Sequence, residues 1–238
     1  MIDLLRYEIS RLWYSKTLLY SFLVCIPATL IGWALIGGRP GVPQAYNTAF
    51  EFFIPQLLVF LVPALFIARE QRGGMYKASL LSGKSRIQVF TAKALVYYFA
   101  ITLTFCFYLA LIALMNAGVT SRFKPEPNGF VYFLRYVSVG YAYCIALSSI
   151  LLAVAFLFRN PLVSVVSGFG LFVIDFILMS SGMPGRIADL IVPSLLIQQL
   201  MTSHPSDKVV LSFTLITLLL TLLGNAAALF TVLKKNYK

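Results

Sequence analysis

With 238 residues, 60% of them hydrophobic and only 11% charged, the chain holds more apolar side chain than one soluble core can bury. A soluble domain carries about 25% charged residues, so a water-soluble fold is excluded and lipid is the solvent that fits. The net charge of +11 would suit nucleic acid, but the positions of the cations, given below, argue for loops beside anionic lipid instead.

Residues 1–16 have a helical period. Ile2, Leu5, Ile9, Leu12 and Trp13 fall on one face, and Asp3, Tyr7, Ser10, Arg11 and Tyr14 fall opposite. This predicts an amphipathic helix lying in the membrane interface, with Trp13 near headgroup depth. Asp3 and Glu8 among the early residues, and the spanning length of the run that follows, read as a retained segment and not a cleaved signal.

Six apolar segments follow, over residues 17–37, 49–68, 94–115, 136–158, 162–179 and 209–233. A helical span needs about 20 residues, and long continuous apolar runs can satisfy their backbone in lipid only as helices. The expected fold is therefore an all-α polytopic membrane protein with six transmembrane helices, forming a single domain over 1–238. Pro27, Pro55 and Pro63 fall inside spans, where proline frees a carbonyl and bends the helix.

Orientation follows from Lys and Arg. With the N-terminus placed inside, thirteen of the nineteen basic residues lie on the inner side. Arg39, Arg122, Lys124, Arg135, Arg186 and Lys208 lie outside. The asymmetry predicts a multi-pass protein of the cell membrane with both termini cytoplasmic, and it needs no nucleic acid.

The outer connections differ. Residues 38–48 and 116–130 read as Pro/Gly loops. Residues 180–208 contain an apolar stretch, Ile187–Leu200, too short to span and interrupted by Pro193, Gln198 and Gln199. A run of this length predicts a re-entrant helical hairpin on the outer side, or an ordinary loop with an interfacial helix.

The longest inner connection is Arg69–Lys93, with three Arg, three Lys and one Glu in 25 residues. Within it, Ala78-Ser-Leu-Leu-Ser-Gly83-Lys84-Ser85 fits the looser pattern of a phosphate-binding loop. That chemistry needs a strand before the loop and a helix after it, within an α/β domain that this chain has no room for. The simpler reading is that Gly83 ends a short helix and that Lys84 and Arg86 face headgroups. Glu70 stands at the membrane edge among cations, either paired locally or held for a partner.

Few residues suggest chemistry in the spans. Glu51, Asp175 and Arg135 are charges in or near lipid, where each costs about 2.5–3.5 kcal/mol at a helix centre. An Asp175–Arg135 or Glu51–Arg135 pair would serve as a buried tie or in substrate passage. Cys25, Cys106 and Cys144 lie in separate spans and read as buried thiols. His204 is the one histidine, so no metal site is expected. Ser148 and Ser149 lie in the fourth span, away from His204, and no catalytic pair results.

A Glu at the end of the second span, a glycine turn, L-L-S-G-x-S-R and a Lys opening the third span resemble the type-two permeases of ATP-binding-cassette (ABC) exporters. Here these are Glu70, Gly73, Gly74, Leu80, Leu81, Ser82, Gly83, Ser85, Arg86 and Lys93. The layout of interfacial helix, six spans and re-entrant pair is similar as well. The size and short outer loops are most similar to the subgroup that exports antimicrobial peptides, lantibiotics among them, or confers immunity to them. Where that family has Gly-Thr, this chain has Gly73-Gly74-Met75.

The resemblance implies a bacterial permease that dimerises with itself or a related chain and docks two cytosolic ABC ATPase subunits. Residues 69–93 would form the cytoplasmic coupling loop, with Glu70, Gly73, Gly74, Tyr76, Leu80, Leu81 and Arg86 as its coupling residues. The chain would be no enzyme and hold no cofactor; ATP and Mg would bind the partner ATPase. The alternative is a stand-alone six-span receptor, sensor or assembly protein, with the same loop as a docking site. Aromatic content of 15% suits an amphipathic or hydrophobic substrate, and the resemblance favours peptide.

Overall fold

The computed structural model describes residues 2–37, 63–68, 70, 83–119, 129–158, 160–180, 200 and 207–234. Its long elements are all helical: α1 (Ile2–Tyr14), α2 (Thr17–Gly37), α3 (Arg86–Val119), α4 (Gly129–Phe158), α5 (Pro161–Ser180) and α6 (Asp207–Lys234). A π-helical segment, Pro63–Ala68, precedes Glu70.

Among the described residues, three stretches are long and apolar enough to cross a membrane: Arg86–Leu111, Val137–Phe158 and Asp207–Lys234. The helices overrun the expected apolar boundaries. α3 begins at Arg86, so residues 86–93, expected in the inner loop, form its first two turns. At about 1.5 Å per residue its 34 residues measure about 50 Å, well beyond the roughly 30 Å of hydrocarbon. α4 likewise starts at Gly129 and takes in Arg135. Apolar composition marks where lipid is tolerated; backbone hydrogen bonding continues past that point.

The start of α3 has a local cause. Gly83 adopts φ 81°, a left-handed conformation that glycine takes without a side-chain clash. Ser85 then caps the helix: its Oγ accepts from the Gln88 amide at 3.2 Å, and Gln88 Oε1 accepts from the Ser85 amide at 3.1 Å. This is a reciprocal capping box. The Gly-Lys-Ser of the phosphate-loop pattern is thus a turn and a helix cap.

α1 and α2 meet at a tight turn in which Lys16 has φ 57°. Ser15 and Thr17 hydroxyls bond each other across it at 2.7 Å. α3 packs against both α1 and α2, and α4 against α5 and α6. The Pro63–Ala68 segment contacts α3, α4 and α5, and its Phe66, Ile67 and Ala68 are all buried. Three successive buried residues cover more than the single stripe that a one-faced helix would bury.

The most extensive helix contact is α6 on α4. Gly224 lies against Ser149, whose Oγ donates to the Leu220 carbonyl at 3.0 Å and to the Ala146 carbonyl at 2.7 Å. Small residues let the two backbones approach, and the hydroxyl ties them. Further ties cross the bundle. Tyr97 donates to the Ser148 carbonyl at 2.9 Å, Thr102 and Tyr141 hydroxyls pair at 2.9 Å, and Asn225 Nδ2 donates to the Tyr98 hydroxyl at 2.7 Å. Ser148 Oγ donates to the Cys144 carbonyl. Both serine hydroxyls are therefore engaged with backbone.

Candidate functional site: a buried ion cluster

The apolar face of α1 predicted from periodicity meets the bundle along one edge only: Leu12 is buried and Leu5 and Ile9 are partly buried against the core. Leu4, Glu8 and Leu12 are buried, whereas Ile2 and Trp13 are 82% and 61% exposed. At about 100° per residue the buried stripe lies roughly a quarter-turn from the centre of the apolar face. α1 thus has one face for protein and a neighbouring face that protein leaves open. Arg11, expected on the solvent side, turns into the protein.

What draws Glu8 inward is Lys93. Lys93 is 1% exposed, on the second turn of α3, and its Nζ donates to Glu8 Oε1 and Oε2 at 2.9 Å each. It also donates to Glu70 Oε2 at 2.5 Å. Arg11 Nη2 takes the other oxygen of Glu70 at 2.7 Å, and its Nη1 stands 3.8 Å from Glu8 Oε1. The Phe66 ring centroid lies 5.9 Å from Lys93 Nζ, within cation–π range.

Two acids and two bases leave the cluster neutral. Neutrality is the condition for its burial, because an unpaired charge there would cost several kcal/mol. The cluster also joins three separate pieces of chain: α1 through Glu8 and Arg11, the end of the second apolar segment through Glu70, and α3 through Lys93. It offers no nucleophile. Among the described residues no group of His, Cys, Asp or Glu is placed to hold a metal. What it can do is hold the three segments together.

Burial pushes the Glu70 carboxyl above its usual range; Lys93 opposes this, Glu8 adds to it, and the Lys93 hydrogen bond and Arg11 oppose it further. The folded state then holds this proton more tightly than the unfolded chain. The linked stability is fully present below the unfolded carboxylate value of about 4.3 and is lost as pH rises through the folded value. We expect the unfolding temperature in detergent to show this downward step with rising pH, and Glu70→Gln to remove it. An unchanged pH profile in that variant would show that another group governs the slope.

Of the residues predicted from sequence, Glu70 and Arg86 are described. Arg86 lies apart from the cluster and donates from Nη1 to the Leu233 carbonyl at 2.7 Å, capping the C-terminal end of α6. Gly73, Gly74, Tyr76, Leu80, Leu81 and Glu51 lie outside the described residues, as do His204 and nearly all of the expected re-entrant segment. Arg135 and Asp175 belong to α4 and α5, and their side chains are outside the description. Cys25 and Cys144 are buried as expected, but Cys106 is exposed on α3.

Sequence reasoning placed Glu70 at a membrane edge but missed Glu8 and Arg11 as its companions. The available signal was an acid on the i, i+4, i+8 row Leu4–Glu8–Leu12, one turn from a base.

Fold and cluster together define a class: an all-helical protein of membrane-embedded character, with a buried ion cluster near one end of a long apolar helix. No protein-family model matches this chain, and no curated protein matches it.

Proposed function

We propose that this chain is the transmembrane permease subunit of a type-two ABC exporter, driven by a separate cytosolic ATPase. On this reading it has six spans, a cytoplasmic coupling helix within residues 69–93 and outer re-entrant helices between the fifth and sixth spans. It acts as a dimer, with itself or a related chain, in a bacterial cell membrane with both termini inside. ATP and Mg bind the partner, and this chain moves an amphipathic or hydrophobic substrate, peptide favoured.

One observation carries the reading: the described residues on either side of positions 71–82 are each tied to distant helices. Glu70 is held by Lys93 and Arg11, and Arg86 by the end of α6. A load applied to that segment by a docked partner would pass through stiff contacts into α1, α3 and α6. A loop meant only to connect two helices needs no such bracing. Leu200, buried with Val139, Tyr143 and Phe213, also suits an outer segment that folds back onto the helices.

Copurification with a cytosolic ATPase tests the proposal. Tyr76→Asp, Leu80→Asp and Leu81→Asp together should remove the ATPase while the membrane-inserted chain remains. If no ATPase accompanies the unaltered chain or stimulates its activity, the permease reading fails and a stand-alone receptor, sensor or assembly protein takes its place. With the complex reconstituted, amphipathic peptides should stimulate ATP hydrolysis, and a flat response across the panel would count against peptide as substrate.

A further inference from the structure

The inner ends of α3 and α6 are brought together by Arg86, whose guanidinium bonds the Leu233 carbonyl across 147 positions of sequence. This tie gathers three cations at one corner: Arg86, the exposed Lys84 just before α3, and the exposed Lys234 in the last turn of α6. Among the described residues, neither Lys84 nor Lys234 forms an ion pair with an acid. Glu8 and Glu70 are engaged in the buried cluster, Asp3 is on α1, and Asp207 lies at the opposite end of α6.

Below Lys234, α6 presents a continuous apolar row. Leu219, Leu222, Leu223, Phe230 and Leu233 are all exposed, at spacings of three, four and seven that keep them on one side. Lys234 Nζ stands over the Phe230 ring at 5.5 Å, so the ammonium caps the row. From Leu219 to Lys234 the row runs for about 22 Å at 1.5 Å per residue, more than the roughly 15 Å of one hydrocarbon leaflet.

A cationic corner on top of an apolar row of leaflet length has the pattern of an anionic phospholipid: phosphate above, acyl chain below. We propose that this corner binds an anionic phospholipid of the adjacent leaflet, with the exposed Lys84 and Lys234, brought together by the Arg86 tie, around its headgroup and the α6 row along its chain. Charge complementarity selects this occupant. A zwitterionic lipid would bring its own ammonium to Lys84 and Lys234, and a second copy of the chain would set like charges against each other.

Native mass spectrometry of the purified chain, with phosphatidylglycerol and phosphatidylcholine of matched acyl chains offered in turn, tests this. Phosphatidylglycerol should remain bound preferentially. Lys84→Gln with Lys234→Gln should weaken its retention about 30-fold, from about one basic residue's worth of surface attraction lost twice. Both substitutions are at exposed positions, and an unchanged unfolding temperature in lipid-free detergent should show that the fold survives. Equal retention of the two lipids, or retention unaffected by the double substitution, would overturn the proposal. A dimer whose abundance falls in the variant, with bound lipid unchanged, would overturn it in favour of a second copy. None of these readings depends on an ATPase partner.

Discussion

Lys93→Met is expected to cost about 3–5 kcal/mol of stability, the usual result of removing one partner from a buried ion group. Without the ammonium, Glu8 and Glu70 are two buried carboxylates with Arg11 as their remaining neighbour from the cluster. Arg11 reaches Glu70 well and Glu8 poorly, at 2.7 and 3.8 Å. Thermal unfolding in detergent should show the loss, and acid should partly reverse it. Burial raises the Glu70 carboxyl and Lys93 no longer opposes that rise, so Glu70 binds its proton more tightly when folded than when unfolded and stability rises as pH falls through its folded value. Adding Glu8→Gln should restore much of what was lost, because Arg11 and Glu70 then remain as a neutral pair 2.7 Å apart. A variant as stable as the parent at neutral pH, or one indifferent to pH, would show that the cluster does not hold α1, Glu70 and α3 together.

Gly224→Ala is the second substitution expected to have a large effect, and Gly170→Ala is its control. A Cβ at Gly224 would lie 2.5 Å from Ser149 Oγ, 2.6 Å from the Ser149 carbonyl carbon and 2.7 Å from its oxygen. The hydroxyl can rotate away, but the backbone cannot, so α4 and α6 must separate. Overpacking of this kind costs about 1–3 kcal/mol, and the Ser149–Leu220 hydrogen bond is strained with it. A Cβ at Gly170 of α5 meets nothing within 4 Å, and alanine there should be neutral or stabilising by up to about 1 kcal/mol through helix propensity. The unfolding temperatures of the two variants should move apart. Equal values would mean that α4 and α6 are not held at this separation.

Periodicity alone exposes neither of these contacts, and Glu8 illustrates the reason. Helical periodicity ranks the faces of a helix by average polarity, and it grouped Leu5, Ile9 and Leu12 with Ile2 and Trp13. The contact with the bundle is centred on the Leu4–Glu8–Leu12 row, with Leu5 and Ile9 at its edge, because Lys93 and Arg11 provide an environment in which a carboxylate can be buried. The lysine comes from α3, 85 residues further along the chain than Glu8. Gly224 is similar: one glycine in an apolar run carries no sign of which neighbour will approach it. Arg86 was expected to face headgroups; its guanidinium donates to the Leu233 carbonyl of α6, a partner 147 positions away.

Composition by itself determined that lipid, not water, must face much of this chain, because 60% apolar residues exceed what one core can cover. Continuous apolar runs determined that the segments would be helices, since only internal hydrogen bonding satisfies a backbone in hydrocarbon. The Gly83 turn and the Ser85–Gln88 cap were equally local, each set by residues within a few positions of one another. Only the tertiary structure decided which charges are buried and with whom. An ion pair can be buried only where partners distant in sequence arrive at hydrogen-bonding distance, and Lys93, Glu8, Glu70 and Arg11 meet only once α1, the Pro63–Ala68 segment and α3 have packed.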